Sequence, residues 1–379
     1  MTKDSFQFAD ELGPYKVIHV YEPSVGLKGT LVVDNVAKGP SIGGLRMAPD
    51  VSTSECFRLA RAMTLKNAAA GLPHGGGKSV IYADPKMPKS GKANLIRAFA
   101  HALRHEESYI FGPDMGTDEE CMAWIRDETG RRSVGLPREV GGIPLDEIGA
   151  TGWGLSHVAA VAAEYAGFSL EGARVVVQGF GSVGKHAAKF LADQGAMLIA
   201  ASDSQGAVLD DNGLDITQLA QLKSEGKSVV DYSTGKKIEN EALLDVDCDI
   251  WIPAARPDVI HEDNVGRLST KLFLQGANIP ITVEAEKMLY AEGTLYIPDF
   301  IANAGGVICA AMEYQGASQS AAMATIEEKL KRNTEQVLTR VKEDGIDPRH
   351  AAIDLAQQRV RKAMSFRRYS LSSSAPDGV

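Results

Sequence analysis

A run of β-branched residues that leads into a glycine-rich turn constrains the fold of this chain more than any other feature. Arg174–Gln178 (RVVVQ) is typical of a strand buried on both faces of a parallel sheet. Gly179–Gly184 (GFGSVG) follows with the pattern GxGxxG, and Lys185–Gln194 then has a helical pattern. With the acidic residue Asp203 about 20 positions beyond, this order predicts a dinucleotide-binding domain built on a doubly wound parallel sheet.

The residues of the turn have different physical tasks. Gly179 permits the tight turn, Gly181 lets the backbone approach a pyrophosphate, and Gly184 lets helix and strand pack closely. Ser182 and Val183, between the second and third glycines, are also predicted to contact the cofactor. The N-terminus of the helix that follows offers N–H groups and a partial positive charge to the phosphates. The alternative is a structural turn that binds no ligand.

Asp203 bears on the choice of cofactor. Its carboxylate is predicted to accept hydrogen bonds from an adenosine ribose, and it would repel a 2′-phosphate. The residues that follow, Ser204-Gln205-Gly206, add no basic group. The expected cofactor is therefore NAD. NADP is the alternative, should a lysine or arginine from elsewhere in the chain reach this position.

The rest of the chain divides around a glycine-rich stretch at Gly141–Gly154, and 379 residues are enough for two domains. Residues 1–140 are predicted to form a mixed α/β domain and residues 141–324 the dinucleotide-binding domain. Two helices at about 325–365 are expected to return to the first domain, and 366–379 to be a disordered tail. The predicted strands are Tyr15–Tyr21, Gly29–Val33, Ser79–Tyr82, Met197–Ala201, Ile250–Pro253, Leu272–Gln275 and Leu295–Ile297, and the predicted helices are Ser54–Ala68, Asn94–Arg104, Leu155–Ala166, Thr325–Glu343 and His350–Met364.

Charge and cysteine content argue against several classes of protein. A net charge of −9 and a sequence pI near 5.5 disfavour a nucleic-acid partner, which needs a basic surface. No apolar run reaches the ~18 residues of a membrane span. The N-terminus lacks the apolar stretch of a secretory signal, so a cytoplasmic location is expected. The four cysteines form no CxxC pair and have no accompanying histidine cluster, which predicts reduced thiols and no metal site.

Two lysines lie close to a run of three glycines. Lys66 is near the end of a predicted helix, and Lys78 follows Gly75-Gly76-Gly77, which is predicted to be a loop. The segment is not a P-loop, because Leu72 stands where GxxxxGK[ST] needs its first glycine. One cation could hold the α-carboxylate of an amino acid, and the other, made less basic by its neighbour and by burial, could act as a general base. The alternative is two ordinary surface lysines.

Asp114 lies in Phe111–Asp118 (FGPDMGTD), a turn flanked by glycine and proline. Its carboxylate could exchange a proton with a substrate amine, or it could form an Asx-type turn with its own backbone. The local sequence alone favours the turn.

Several motifs occur together and in order, and on them the chain resembles the glutamate/leucine/phenylalanine/valine dehydrogenase superfamily. They are Gly39–Arg46 (GPSIGGLR), Met63–Leu72 (MTLKNAAAGL), Gly75–Lys78 (GGGK), Pro113–Thr117 (PDMGT), Ala150–Gly152 (ATG), the GxGxxG segment and Asn303–Ile308 (NAGGVI). The resemblance implies an N-terminal α/β domain for substrate binding and oligomerisation, a Rossmann-type domain, a cleft between them, and a homo-oligomer. It also implies reversible NAD(P)-dependent oxidative deamination of an L-2-amino acid to the 2-oxo acid and ammonia.

The resemblance further implies roles for individual residues. Lys66 is similar to the lysine that binds the substrate α-carboxylate, and Lys78 to the lysine that activates water. Asp114 is similar to the carboxylate that exchanges protons with the amino group. The residues implied to lie near the nicotinamide and its ribose are Thr151, Ala277, Asn278 and Asn303.

Two positions bear on the substrate side chain. Family members specific for glutamate carry a lysine where this chain has Ile42, directly before Gly43-Gly44, and tend to carry a serine where it has Ala310. Without those partners a side-chain carboxylate would be buried unpaired, which is costly. The other residues that the resemblance implies to contact the substrate are Gly43, Gly44, Gly112 and Val307. Small groups at Gly112 and Ala310 leave room for an aromatic or long aliphatic side chain, so the resemblance implies a phenylalanine- or leucine-dehydrogenase-like branch.

Two other functions stay open. A glutamate dehydrogenase whose substrate carboxylate is held by other groups would fit the motif set as a whole. A non-catalytic nucleotide-sensing protein on the same fold would have no need of Lys66, Lys78 and Asp114 together.

Overall fold

The computed structural model describes residues 6–130 and 133–369. Within them the chain forms two compact units. The first takes the chain up to Pro144, Val307–Ala322 and the chain from Ile353 onward, and the second takes Leu145–Gly306 and Met323–Ala352. The tail predicted at 366–379 lies, from residue 370 on, outside the described residues.

The first unit is built on a five-stranded mixed sheet in the order β1-β2-β4-β3-β5. Its strands are β1 (Lys16–Glu22), β2 (Leu27–Asn35), β3 (Ser41–Ala48), β4 (Gly75–Tyr82) and β5 (Tyr109–Pro113). Strand β2 is antiparallel to β1 and β4, whereas β3 runs parallel to β4 on one side and to β5 on the other. In this register Leu45 of β3 lies opposite both Ser79 and Pro113. Lys78 and Asp114 are thereby brought to nearly the same level of the sheet.

Three helices of this unit pack against the sheet. They are α1 (Thr53–Ala69), α2 (Lys89–Ala102) and α3 (Glu119–Thr129). Ser52 caps α1 by accepting from Glu55 N at 3.1 Å, and Asp118 caps α3 by accepting from Cys121 N at 3.0 Å. Phe99 of α2 meets Phe111 of β5 edge to face in the core, with ring centroids 6.3 Å apart.

The run of three glycines belongs to β4, and the predicted loop there is wrong. A Cβ on Gly75 would lie 1.7 Å from Asn35 O, and one on Gly76 would lie 1.9 Å from the backbone nitrogen of Thr64 in α1. A Cβ on Gly77 would lie 2.8 Å from the Tyr109 ring. The glycines are therefore required by the close approach of a helix and neighbouring strands, a cause that propensity alone does not reveal.

The second unit contains a seven-stranded sheet in the order β12-β11-β10-β6-β7-β8-β9. The strands are β6 (Arg174–Gln178), β7 (Met197–Asp203), β8 (Gly206–Leu209), β9 (Lys236–Ile238), β10 (Cys248–Pro253), β11 (Thr270–Leu274) and β12 (Leu295–Ile297). The five from β12 to β7 are parallel, and β8 and β9 are antiparallel additions. The chain order reverses between β6 and β10, the point at which doubly wound sheets bind ligands. The predicted fold class is confirmed.

The remaining helices are α4 (Ala150–Tyr165), α5 (Ser182–Ala192), α6 (Ile216–Ser224), α7 (Val283–Ala291), α8 (Asp299–Ala302), α9 (Gly305–Tyr314), α10 (Gln319–Asp344) and α11 (Pro348–Met364). We expected both α10 and α11 to return to the first domain, but α10 from Met323 onward belongs to the second unit. Trp153 Nε1 of α4 donates to Met323 O at 3.0 Å, and Tyr165 OH donates to Glu335 Oε1 at 2.8 Å. Over the described chain, no helix is both long and apolar enough to cross a membrane.

Candidate active site

Lys78 and Asp114 form an ion pair in the first unit. Lys78 lies in β4 with its side chain 8% exposed, and Asp114 directly follows β5 with its side chain 20% exposed. Lys78 Nζ contacts Asp114 Oδ2. The structure thus brings together the two residues predicted to be catalytic, which are 36 positions apart in the chain.

Arg46 of β3 is a third charged group at this place, and no role was predicted for it. Its Nε lies 3.4 Å from Asp114 Oδ2, and its NH1 donates to Glu55 Oε1 at 2.6 Å. The sequence pattern could not reveal this, because Ser41–Ala48 was not predicted as a strand. In the observed strand β3, Arg46 and Gly44 are two residues apart and therefore share a face.

Asp114 serves both the turn and the ion pair. Its Oδ1 accepts from Met115 N at 2.7 Å, and its carbonyl accepts from Thr117 N at 2.9 Å, as expected of a turn residue. Its Oδ2 faces Lys78 and Arg46. Burial alone would raise the pKa of Asp114, but the neighbouring charges of Lys78 and Arg46 and the Met115 N–H outweigh it and hold the pKa below its usual range. The two functions suggested by the sequence are therefore compatible.

Gly43 and Gly44 lie against this ion pair. A Cβ on Gly44 would lie 2.7 Å from Asp114 Cβ and 3.3 Å from Lys78 Nζ, so a side chain there would occupy the space beside the ammonium. A Cβ on Gly43 would lie 1.8 Å from Gly77 O. Tyr109, which is fully buried, donates its hydroxyl to Gly43 O at 2.7 Å and thereby fixes this stretch of β3.

Lys66 is half-buried in the last turn of α1, the helix whose Thr64 backbone lies against Gly76 of β4. Of the residues predicted to line the substrate side chain, Ile42 and Ala310 are buried, at 4% and 8% exposure. Gly112 is buried and Val307 is half-buried. A Cβ on Gly112 would come within 3.2 Å of Val134, so even a methyl group is a tight fit there.

Glu313 is a buried acid for which no role was predicted. It lies in α9, three residues after Ala310, and is 2% exposed. Its Oε1 accepts from Leu136 N at 3.1 Å and its Oε2 from Ile143 N at 2.8 Å. Burial raises its pKa although these backbone donors act in the opposite direction. Glu313 therefore fastens the end of α9 to a segment that is distant in sequence.

The glycine-rich turn of the second unit fits a dinucleotide. Gly179 has a φ of 94°, and a Cβ on Gly184 would lie 2.1 Å from Gly179 O, so both positions require glycine. A Cβ on Gly181 would meet nothing within 4 Å, which leaves the backbone open to a pyrophosphate. Ser182, whose Oγ donates to Asp146 O at 3.0 Å, and the half-buried Val183 form the first turn of α5.

Three of the residues predicted to lie near the nicotinamide contact one another beyond the carboxyl end of β10. Asn303 Nδ2 donates to Ala277 O and to Asn278 Oδ1, both at 3.1 Å. Ala277 N donates in turn to Pro253 O at the end of β10, at 2.7 Å. Thr151 lies at the start of α4, and its Oγ1 would be 3.3 Å from a Cβ on Gly306. The structure thus brings Ala277, Asn278 and Asn303 into contact and places Thr151 beside the start of α9.

Ile279, next to Asn278, has a strained backbone that no sequence pattern revealed. Its φ is 43°, a conformation that is an outlier for a β-branched residue. Its N–H donates to Asp299 Oδ2 at 2.9 Å, and Arg349 NH2 lies 3.3 Å from Asp299 Oδ1 and 2.6 Å from Glu286 Oε1. Such strain persists only where the surroundings enforce it, and it is commonest at functional sites.

Asp203 at the end of β7 was predicted to have a carboxylate free to accept hydrogen bonds from a ribose, but this carboxylate is already hydrogen-bonded within the chain. Its Oδ1 accepts from Ser228 Oγ at 2.8 Å and Gln205 N at 3.0 Å. Its Oδ2 accepts from Lys223 Nζ at 2.7 Å and Val229 N at 3.0 Å. Burial opposes ionisation, yet the Lys223 bond and the other donors hold the pKa of Asp203 below its usual range. Both carboxylate oxygens therefore already have two donors each.

All four cysteines are buried, and none is in a disulfide. Between residues 6 and 369, leaving out 131 and 132, no group of three or more His, Cys, Asp or Glu side chains could hold a metal ion.

A sheet with a buried lysine–aspartate pair and a second sheet with a dinucleotide turn define a two-domain, dinucleotide-dependent enzyme. Residues 14–131 match the family model described as "Glu/Leu/Phe/Val dehydrogenase, dimerisation domain". Residues 141–368 match "Glutamate/Leucine/Phenylalanine/Valine dehydrogenase". The chain therefore belongs to the glutamate/leucine/phenylalanine/valine dehydrogenase family.

Two curated relatives cover most of the chain. The glutamate dehydrogenase of Aeropyrum pernix is 37% identical over 88% of this chain and 85% of its own length. The NADP-specific glutamate dehydrogenase of Saccharolobus shibatae is 39% identical over 74% of this chain and 69% of its own.

Solved structures have the same architecture. Hetero-hexameric glutamate dehydrogenase from Thermus thermophilus, in a Leu-bound form, superimposes with a TM-score of 0.82 at 28% identity and covers 93% of this chain and 90% of its own. L-tryptophan dehydrogenase from Nostoc punctiforme superimposes with a TM-score of 0.73 at 25% identity and covers 93% and 97%. The protein is an NAD(P)-dependent amino acid dehydrogenase. The apolar-substrate branch is not confirmed, because both curated relatives are named for glutamate.

Proposed function

We propose that the protein catalyses the reversible, NAD(P)-dependent oxidative deamination of an L-2-amino acid with an apolar side chain to the 2-oxo acid and ammonia. The observation that carries the reaction is the buried ion pair between Lys78 and Asp114, against which Gly44 packs closely without a side chain.

The chain's own residues divide the work of the reaction. Lys66 holds the substrate α-carboxylate by charge. Asp114, kept ionised by Lys78 and Arg46, accepts a proton from the substrate ammonium group. Lys78 then directs the water that attacks the iminium carbon and stabilises the oxygen that it adds. Asp114 returns its proton to the amine nitrogen, which leaves as ammonia.

The second unit would hold the dinucleotide. The backbone of Gly179–Gly184 and the N-terminus of α5 fit the pyrophosphate, and Thr151, Asn278 and Asn303 would orient the nicotinamide end. When bound, the dinucleotide supplies the hydride acceptor.

The proposal of an apolar substrate rests on Ile42 and Ala310. Both side chains are uncharged and buried, and neither can pair with a carboxylate at the end of a substrate side chain. Burial of such a carboxylate without a partner would cost several kcal/mol. The resulting preference is for leucine- or phenylalanine-like amino acids over glutamate.

L-glutamate is the second candidate. It is favoured by the names of the A. pernix and S. shibatae relatives, and in this respect the comparisons give it more support than they give the apolar class. Because position 42 is an isoleucine, L-glutamate requires that a cation from another position reach the carboxylate of the substrate side chain.

A substrate panel decides between the two. Purified protein is assayed with L-leucine, L-phenylalanine, L-valine and L-glutamate, each with NAD and NADP, by following the reduced nicotinamide. We expect kcat/KM for leucine or phenylalanine to exceed that for glutamate at least about 100-fold, as for a site that lacks the hydrogen-bonding partner of its ligand. Glutamate as the best substrate would select the second candidate, and no turnover with any amino acid would refute the reaction.

The double variant Ile42→Lys with Ala310→Ser tests directly whether these two positions select the substrate side chain. It supplies both groups that glutamate-specific members carry, so glutamate turnover should rise and leucine turnover should fall. Unchanged preference in this variant would contradict the role of the two positions.

We further propose a homo-oligomer in the cytoplasm. Support for assembly comes from the dimerisation-domain model that matches residues 14–131 and from the T. thermophilus structure, which is a hetero-hexamer. Light scattering on the purified protein should give a multiple of 40.5 kDa, and a monomer at micromolar concentration would contradict it.

A further inference from the structure

The surroundings of Asp203 bear on which dinucleotide the protein takes. We propose that Lys223 forms part of a site for the 2′-phosphate of NADP, and that Asp203 positions this lysine instead of binding an adenosine ribose. The proposal rests on the proposed dinucleotide-dependent function and concerns only the recognition of the adenosine end.

The first argument is saturation of the carboxylate. An ionised carboxylate offers about four lone-pair positions on its two oxygens. In Asp203 each oxygen already accepts two hydrogen bonds, one pair from Ser228 and Gln205 and the other from Lys223 and Val229. A ribose diol would have to displace at least two of these donors.

The second argument is the cost of displacing them. Val229 is fully buried and Ser228 is 1% exposed, and both lie in a segment that Asp203 connects to β7. Release of the Val229 N–H would leave a buried donor without a partner, which costs about 1–3 kcal/mol. The two hydroxyls of a ribose would donate no more hydrogen bonds to Asp203 than the two that they displace. Asp203 is therefore an anchor for this segment.

The third argument is charge. The Lys223 ammonium lies 2.7 Å from Asp203 Oδ2 and cancels its charge, so the expected repulsion of a 2′-phosphate is absent. The Lys223 side chain is 31% exposed, whereas that of Asp203 is only 9% exposed. An ammonium has three donors, and Asp203 takes one of them. Lys223 can therefore donate to a phosphate at the end of the strand next to the GxGxxG strand, where the adenosine of a dinucleotide lies in this fold.

Sequence order conceals this arrangement. Lys223 lies 20 residues beyond Asp203, at the end of α6, and none of the residues directly after Asp203 is basic. The lysine reaches the position only because the chain folds the end of α6 back to Asp203. This is the case in which a cation from elsewhere reverses a preference for NAD.

Binding of adenosine fragments tests the proposal without any turnover. Adenosine 2′,5′-bisphosphate and adenosine 5′-monophosphate differ only in the 2′-phosphate, and both are titrated by calorimetry into the wild-type protein, Lys223→Met, Lys223→Arg and Lys227→Met. Lys227 is the matched control, because it is an exposed lysine four residues away that pairs with Glu225.

We expect the bisphosphate to bind wild type more tightly than the monophosphate. Lys223→Met should weaken the bisphosphate roughly 10- to 100-fold, as expected for loss of a hydrogen bond to a charged group, and should change the monophosphate less than about 3-fold. Lys223→Arg should keep most of the preference, and Lys227→Met should behave as wild type. Thermal unfolding checks that every variant is folded.

Three outcomes would overturn the proposal. The monophosphate could bind wild type as tightly as the bisphosphate, in which case the 2′-phosphate is not recognised although a nucleotide site exists. Lys223→Met could weaken both ligands equally, which would make the lysine a structural partner of Asp203 only. If wild type bound neither fragment, the dinucleotide site itself, and with it the proposed function, would fail.

Discussion

Asp114 and Asp203 are each paired with a lysine at the end of a parallel strand. We propose different roles for the two pairs, proton transfer for Asp114 and the anchoring of a buried segment for Asp203. Asp114 accepts one backbone N–H and otherwise faces the cations of Lys78 and Arg46. Asp203 accepts four hydrogen bonds from its own chain. In both, the neighbouring donors and cations lower the pKa against the effect of burial. If the roles that we propose hold, the number of surrounding donors distinguishes the reactive acid from the anchoring one, and a sequence motif does not contain that number.

Removal of the lysine from the reactive pair should have the largest effect. In Lys78→Ala we expect kcat to fall at least about 1,000-fold, because the water-directing group and the partner of Asp114 are lost together. Binding of NAD or NADP, measured by quenching of protein fluorescence, should stay within about 3-fold of wild type. Lys86→Ala, a change of a lysine for which no ion pair is found in the part of the chain that the structure describes, is the control. Near-normal turnover in Lys78→Ala would contradict the assigned role.

Replacing each aspartate by asparagine breaks the comparison directly. Asp114→Asn keeps the shape but cannot take up a proton, so kcat should fall roughly 100- to 10,000-fold. Loss of the charge that faces the buried Lys78 ammonium should also lower the unfolding free energy. Asp203→Asn should leave kcat for a saturating dinucleotide nearly unchanged and lower the unfolding free energy by about 2 kcal/mol, since an amide turns a donor toward other donors. Steady-state kinetics and urea unfolding of the two variants, side by side, give the answer. A large fall in kcat in Asp203→Asn, with a nearly normal kcat in Asp114→Asn, would reverse our interpretation of the two sites.

Acid should affect the two sites through their lowered pKa values. A carboxylate with a depressed folded-state pKa stabilises the fold above its unfolded pKa of about 3.9, and that stability is lost as the pH falls through the lower, folded-state pKa. Wild type should therefore lose unfolding free energy below about pH 4 more steeply than Asp203→Asn does. Urea unfolding between pH 3 and 7 measures the slopes. Equal slopes would mean that Asp203 is not held ionised by its partners.

Loss of the Tyr109 hydroxyl, which holds the strand next to Lys78 and Asp114, should have the smallest effect on activity. Tyr109→Phe removes one hydroxyl, which donates to Gly43 O and lies 3.1 Å from Ser79 Oγ. We expect a loss of about 1 kcal/mol in unfolding free energy and a decrease of 2- to 10-fold in kcat/KM, roughly what one hydrogen bond contributes. Tyr82→Phe, in the same strand as Lys78 but only half-buried, is the control. An effect on stability without any effect on kcat/KM would limit Tyr109 to packing.

Much of the second unit was predictable because its strands are continuous apolar runs between glycine turns. Arg174–Gln178 has the predicted bounds, and Met197–Ala201 is extended by only two residues. In the first unit, Ser41–Ala48 and Tyr109–Pro113 were not predicted as strands, because glycine and proline interrupt their patterns. The long helix at Gln319–Asp344 was found by its period, but a period does not identify the surface on which a helix packs.

The candidate site was predictable to a different degree in each part. Lys78 and Asp114 were identified by their motifs, and only the strand register explains why they touch. The four donors around Asp203 come from a turn, a helix and a buried segment up to 26 residues away, so that no local pattern could reveal them. Glu313 was missed for the same reason, because its partners at Leu136 and Ile143 are distant in sequence.

The contact between Gly76 and Thr64 has a consequence for how this enzyme could change over evolution. A Cβ on Gly76 would lie 1.9 Å from Thr64 N, so at this point no side chain separates the helix of Lys66 from the strand of Lys78. Repacking of the hydrophobic interior can shift most helices by a fraction of an ångström, but it has nothing to compress at this junction. We therefore expect the backbone distance between Lys66 and Lys78 to stay fixed as the sequence diverges. A change of substrate would then come from substitution of the residues around the two lysines.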